Sequence, residues 1–139
     1  MPKSISFVPF KTAVVLRMGS QQRGPGFTVD VTYRVEEAER QAYEASITAY
    51  GYRILEPEGR EILTYHRHPE SSSPVTTPHL HLSTRMPPVN VATGSQVALG
   101  EMHIPAGVVT LAQVVRLLIT EFHVEPRRDD WEVVLSSIG

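Results

Sequence analysis

Apolar and polar residues alternate along much of the first hundred positions, the period-two signature of half-buried strands. The clearest run covers residues 27–35. Phe27, Val29, Val31, Tyr33 and Val35 point one way, and Thr28, Asp30, Thr32 and Arg34 point the other. Residues 4–18 are apolar and β-branched at their centre and predict a strand, while the Gly- and Gln-rich residues 19–26 predict a flexible loop. Residues 36–39 read as a turn or the start of a helical turn. Over residues 41–55 the alternation resumes, setting Tyr43, Ala45, Ile47 and Ala49 against Ser46, Thr48, Tyr50 and Tyr52, with Gly51 marking a bend or bulge.

Glu56-Pro57-Glu58-Gly59 is a turn signal, because Pro fixes φ and Gly can adopt the left-handed conformation that closes a three-residue loop. A loop of Pro57, Glu58 and Gly59 pairs Glu56 with Arg60. Counting back sets Ile54 against Ile62, Tyr52 against Thr64, Tyr50 against His66 and Thr48 against His68. A four-residue loop shifts the register by one and puts both histidines beside Ile47 and Ala49. The first register keeps both faces chemically consistent and is the one expected here, with Tyr65 covering Gly51. Leu80 and Leu82 then claim the core side of residues 78–83, turning His79, His81 and Ser83 away from it. In a strand over residues 99–104, Met102 and Ile104 do the same for Glu101 and His103. Residues 70–77 and 84–96, rich in Ser, Thr and Pro or broken by Pro and Gly, read as loops bordering the histidine face.

The period changes near the C-terminus. Thr110 and Gln113 form a capping box, and Leu111, Val114, Val115, Leu118 and Phe122 follow at helical spacing. A second short helix carries Trp131, Val134, Leu135 and Ile138 on one face, and His123 reads as a residue at the end of the first helix. Arg127 and Arg128 beside Asp129 and Asp130 read as a helix start with local ion pairs. The expectation is an α+β fold in a single domain, residues 1–139. A largely meander antiparallel sheet of about five to six strands carries two C-terminal helices on one face.

Composition narrows the function classes. A chain of 139 residues with 41% hydrophobic and 20% charged residues can bury a core without covalent staples. There is no cysteine, so any metal must be held by histidine or carboxylate. A net charge of −2 gives no global attraction to nucleic acid or anionic membrane, and no run is long and apolar enough for a signal peptide or a membrane span. A cytoplasmic protein is the default.

The chemistry is concentrated in residues 65–82, which contain two His-X-His pairs, His66 with His68 and His79 with His81. On a strand each pair projects two imidazoles from one face. These four are the candidate catalytic residues and, for a divalent ion such as zinc, the candidate metal ligands. Tyr50, Tyr52, Glu101 and His103 are the binding residues expected beside them. Two histidines can also act as general acid and base without metal. The His81-Leu82-Ser83 triplet lacks the second copy that a two-histidine phosphoesterase needs.

A long hairpin, a Tyr-His-X-His strand end, a polar loop, a Pro-His-X-His strand and a closing helix with Leu-Ile-X-Glu-Phe character succeed one another over about residues 43–122. That order resembles the TumE-like toxins of prokaryotic toxin–antitoxin modules. The resemblance implies nucleic-acid-directed toxicity, by RNA cleavage or RNA binding, with a cognate antitoxin as partner. It carries over to His66, His68, His79 and His81 only. The alternative is a non-enzymatic module that binds metal or forms a homodimer with a structural histidine face.

Overall fold

The computed structural model describes residues 5–6, 10–18, 22–38, 42–83 and 85–138. Its principal element is a seven-stranded antiparallel sheet built from β1 (Ile5–Ser6), β2 (Phe10–Met18), β3 (Gln22–Glu37), β4 (Tyr43–Leu55), β5 (Glu61–Arg67), β6 (His79–Leu82) and β9 (Ile104–Pro105). The order is β1-β3-β4-β5-β6-β9, with β2 also paired to β3. β7 (Val89–Ala92) and β8 (Ser95–Val97) form a separate hairpin. α1 (Leu111–Thr120) and α2 (Trp131–Ile138) close the fold, so the α+β meander with two C-terminal helices is what the alternation and the late change of period predicted.

Several expected loops are more ordered than their composition suggests. β3 begins at Gln22 and runs through Gly24, Pro25 and Gly26, so strand replaces most of the loop expected over 19–26, whose residues 19–21 lie outside the described residues. It also continues to Glu37, where a turn was expected; residue 39 lies outside the description. The loop expected over 84–96 contains the β7–β8 hairpin, closed at Gly94 with φ 77°. The strand expected over 99–104 is a 3-10 turn, Leu99–Glu101, followed by the two-residue β9.

The hairpin register decides which side chains share a face. The turn forms as its residues require: Gly59 has φ 87°, and the Glu56 N–H donates to the Arg60 carbonyl at 2.7 Å. Beyond it, Leu55 pairs with Glu61 but Ile54 pairs with Leu63, which leaves Ile62 as the extra residue of a β-bulge. One extra residue shifts every later pairing, so Tyr52 faces Tyr65, Gly51 faces His66 and Tyr50 faces Arg67. The expected pairings of Ile54 with Ile62, Tyr52 with Thr64 and Tyr50 with His66 are therefore corrected by one position. His66, not Tyr65, covers Gly51. A second bulge sets Thr32 against Ala49 and Tyr33 against Ile47, skipping Thr48, whose hydroxyl donates to the Thr32 carbonyl at 3.2 Å.

With this register the large side chains go inward. Phe27, Tyr50, Tyr52, Ile54, Val114, Leu118 and Val124 form the core, with Ile62, Leu63, Tyr65 and Phe122 packed against it. Burying a side chain such as Leu118 stabilises the fold by roughly 1.5–3 kcal/mol. α1 is held at its start by the reciprocal box, in which Thr110 Oγ1 accepts from the Gln113 N–H and Gln113 Oε1 accepts from the Thr110 N–H. It ends near His123, whose φ of 55° lets the Val124 N–H reach back to the Leu118 carbonyl at 3.0 Å. At the start of α2, Arg128 grips Asp130 through two hydrogen bonds of 2.8 Å.

Candidate functional site

The other face of the sheet is assembled by cross-strand pairing. Asp30 pairs with Gly51, Gly51 with His66 and His66 with His79; on the neighbouring row Arg53 pairs with Thr64 and Thr64 with His81. Paired residues share a face and alternate residues repeat it, so His66 and His68 of β5 and its end project with His79 and His81 of β6. Leu80 and Leu82 hold β6 in this orientation by pairing with Tyr65 and Leu63 on the core side.

The imidazoles form one contiguous strip. Ring centroids are 5.0 Å apart for His66–His68, 5.7 Å for His66–His79, 5.3 Å for His66–His81 and 4.9 Å for His79–His81. His103, immediately before β9, joins the strip at 5.0 Å from His79 and 4.5 Å from His81. Within the strip, ring nitrogens of His66, His79 and His81 all lie within 4.8 Å of one another. Ligands on one tetrahedral zinc ion at ~2.0–2.1 Å stand about 3.4 Å apart, so ring rotations of order an ångström close this set.

Two further features suit the trio to a metal. His79 is 4% exposed, and its Nδ1 lies 2.7 Å from the Thr77 carbonyl oxygen. A carbonyl only accepts, so Nδ1 carries the proton and Nε2 is the nitrogen left to ligate, the arrangement by which a backbone contact orients a ligating histidine. Burial, followed by the neighbouring His68, His81, His79 and Arg53, pushes the His66 pKa down to about 4, which keeps this ring neutral at physiological pH. His81 is also held below the usual histidine value, by burial first and then by His103 and His79, against the opposing effects of Glu61 and a hydrogen bond with the Met102 backbone. A neutral imidazole is the form that binds a metal.

No protein-family model, curated protein or solved structure matches this chain. The clustered histidine triad therefore rests on its own geometry, which is consistent with a metal-binding or a structural site.

The expected neighbours of the histidines divide. His103 joins them. Glu101 ends the 3-10 turn, is exposed and stands outside the metal-capable group. Tyr50 and Tyr52 are corrected in their facing: both lie in the core, where their rings stack 4.7 Å apart, and the Ile62 bulge re-phases β5 so that its histidines project from the opposite face. Tyr50 Oη accepts a hydrogen bond from the Val109 N–H at 3.0 Å. In their place the histidine face carries Gly51, Arg53 and Thr64, of which neither Gly51 nor Thr64 was picked out for the site from the sequence. Gly51 gives the His66 ring its seat, since a Cβ there would meet His66 Cδ2 at 3.5 Å and Nε2 at 3.7 Å. Thr64 is 1% exposed, and its Oγ1 is buried without a hydrogen-bond partner among the described residues. Its position two residues before His66 was the available signal.

Proposed function

We propose that this protein is a divalent transition-metal-binding protein in which His66, His79 and His81 are the ligands. The observation that carries the reading is the mutual 4.8 Å reach of three ring nitrogens. The donor set is all imidazole, which suits zinc, nickel, copper or cobalt better than calcium or magnesium. β5 and β6 supply the ligands from adjacent strands, and the Thr77 carbonyl fixes the tautomer of the most buried one. No described helix is long and apolar enough to cross a membrane.

Tag-free protein, loaded with zinc or nickel and dialysed, tests the proposal by elemental analysis and titration calorimetry. The expected result is about one ion per chain, with His79→Ala weakening binding by about 100-fold or more. His123→Ala, remote from the strip, leaves binding unchanged. Wild-type protein that retains no ion overturns the proposal. Undiminished binding in a His66→Ala/His79→Ala/His81→Ala variant does so as well.

A further inference from the structure

The ring spacings extend beyond the trio. Four imidazoles on one tetrahedral ion, each nitrogen at ~2.0–2.1 Å, have centroids about 5.2 Å apart. His66 stands 5.3 and 5.7 Å from His81 and His79; His103 stands 4.5 and 5.0 Å from the same two rings. His103 is therefore at least as close to the central pair as the third member of the trio. A second ion shared through His79 is ruled out by its hydrogen bond, because Nδ1 is committed to the Thr77 carbonyl and only Nε2 remains. His103 lies outside the common reach of the trio, but it is exposed and sits between a 3-10 turn and a two-residue strand, so its ring can rotate inward.

Its place in the chain gives this ligand a second effect. Between His81 and His103 the chain leaves the sheet, forms the β7–β8 hairpin and the 3-10 turn, and returns. On return its ladder with β6 is two pairings long, His79 with Pro105 and Leu80 with Ile104, flanked by the hydrogen bond of His81 with the Met102 backbone and that of the Ala106 N–H to the Pro78 carbonyl at 3.1 Å. We infer that His103 is the fourth protein ligand of the ion held by His66, His79 and His81, and that its ligation clamps the returning chain onto the edge of the sheet. The inference rests on the metal reading above. It makes the sphere closed, with no position left for a substrate or water, and it makes the excursion metal-dependent. A cross-link that closes a long loop stabilises by reducing the freedom of the open chain.

Cobalt(II) is the probe, because its visible spectrum distinguishes four protein nitrogens from three plus an exchangeable ligand. Wild type, His103→Ala and His68→Ala are compared, the last because His68 meets His66 at the other end of the strip. Trypsin cleavage after Arg85, an exposed residue inside the excursion, reports the clamp. Wild type and His68→Ala are expected to share an azide-insensitive tetrahedral spectrum and to gain about 10-fold protection at Arg85 on loading. His103→Ala is expected to bind cobalt still, about 10–100-fold more weakly, with an azide-sensitive spectrum and no protection. Wild type whose spectrum responds to azide overturns the inference while leaving the metal reading intact. A His103→Ala protein with the wild-type spectrum and protection has the same consequence. Wild type that binds no cobalt overturns both.

Discussion

Replacing Tyr52 by Phe is expected to stabilise the protein, and the same replacement at Tyr50, two residues away, to destabilise it. Both rings are buried and stacked on each other, so the substitutions differ only in what the hydroxyl does. Tyr52 is fully buried and its Oη has no hydrogen-bond partner among the described residues. An unsatisfied buried polar group costs about 1–3 kcal/mol. Some packing contact is lost with the oxygen, so Tyr52→Phe should gain about 1 kcal/mol. Tyr50 Oη instead accepts from the Val109 N–H, and removing it strands that donor at a cost of about 1–2 kcal/mol. For a chain of this length the unfolding entropy is about 0.3 kcal/mol per degree, so the expected shifts are about +3 °C for Tyr52→Phe and −3 to −7 °C for Tyr50→Phe. Calorimetry on metal-free protein, supported by urea unfolding with unchanged m, measures both. Equal losses in the two variants would refute the reasoning, since they would mean that the Tyr52 hydroxyl is satisfied in solution.

The remaining expectations concern pH and the seat of His66. Burial, with Tyr50 adding to it, pushes the Tyr52 phenol up to about 12. The unfolded chain loses this proton near pH 10, so between pH 10 and about 12 the unfolded state binds fewer protons and stability falls as pH rises. Tyr52→Phe should flatten that decline in alkaline urea titrations; an identical slope in both proteins counts against the buried phenol. At Gly51, Ala should be accepted, because its Cβ meets the His66 ring at ordinary contact distance, 3.5–3.7 Å. Val at the same position displaces the ring and should weaken zinc binding by about 10-fold or more while the protein stays folded. Calorimetric titration of both variants checks this, and equal affinities would show that the ring is not seated there.

What was legible in the sequence was whatever depended on short spacing. The Thr110–Gln113 box, the Glu56–Gly59 turn and the outward facing of His79 and His81 all follow from residues within a few positions of each other. The partners of β4 depended on counting across a turn, and counting fails at a bulge. Ile62 is apolar like Leu63, which takes the pairing with Ile54, so nothing in its identity marks it as the extra residue. Treating Tyr50 and Tyr52 as polar then made the wrong register look consistent. Side-chain volume was the better guide: Tyr50, Tyr52 and Ile54 are large enough to fill a core under two helices, while Ala49 and Gly51 leave room for imidazoles. The convergence of His103 was half legible, since the facing came out correctly although the expected strand is a turn.

The Ile62 bulge also determines where the chain can change length. Residues 71–77 lie in no ladder of the sheet, so an insertion there lengthens a surface loop and leaves the ligands of β5 and β6 in phase. Between Gly59 and Leu63 a single gained or lost codon reverses the phase of everything that follows in β5, exchanging the side that holds Tyr65 with the side that holds His66. In a comparison of natural variants of this chain, length changes should accumulate in the first segment and be purged from the second.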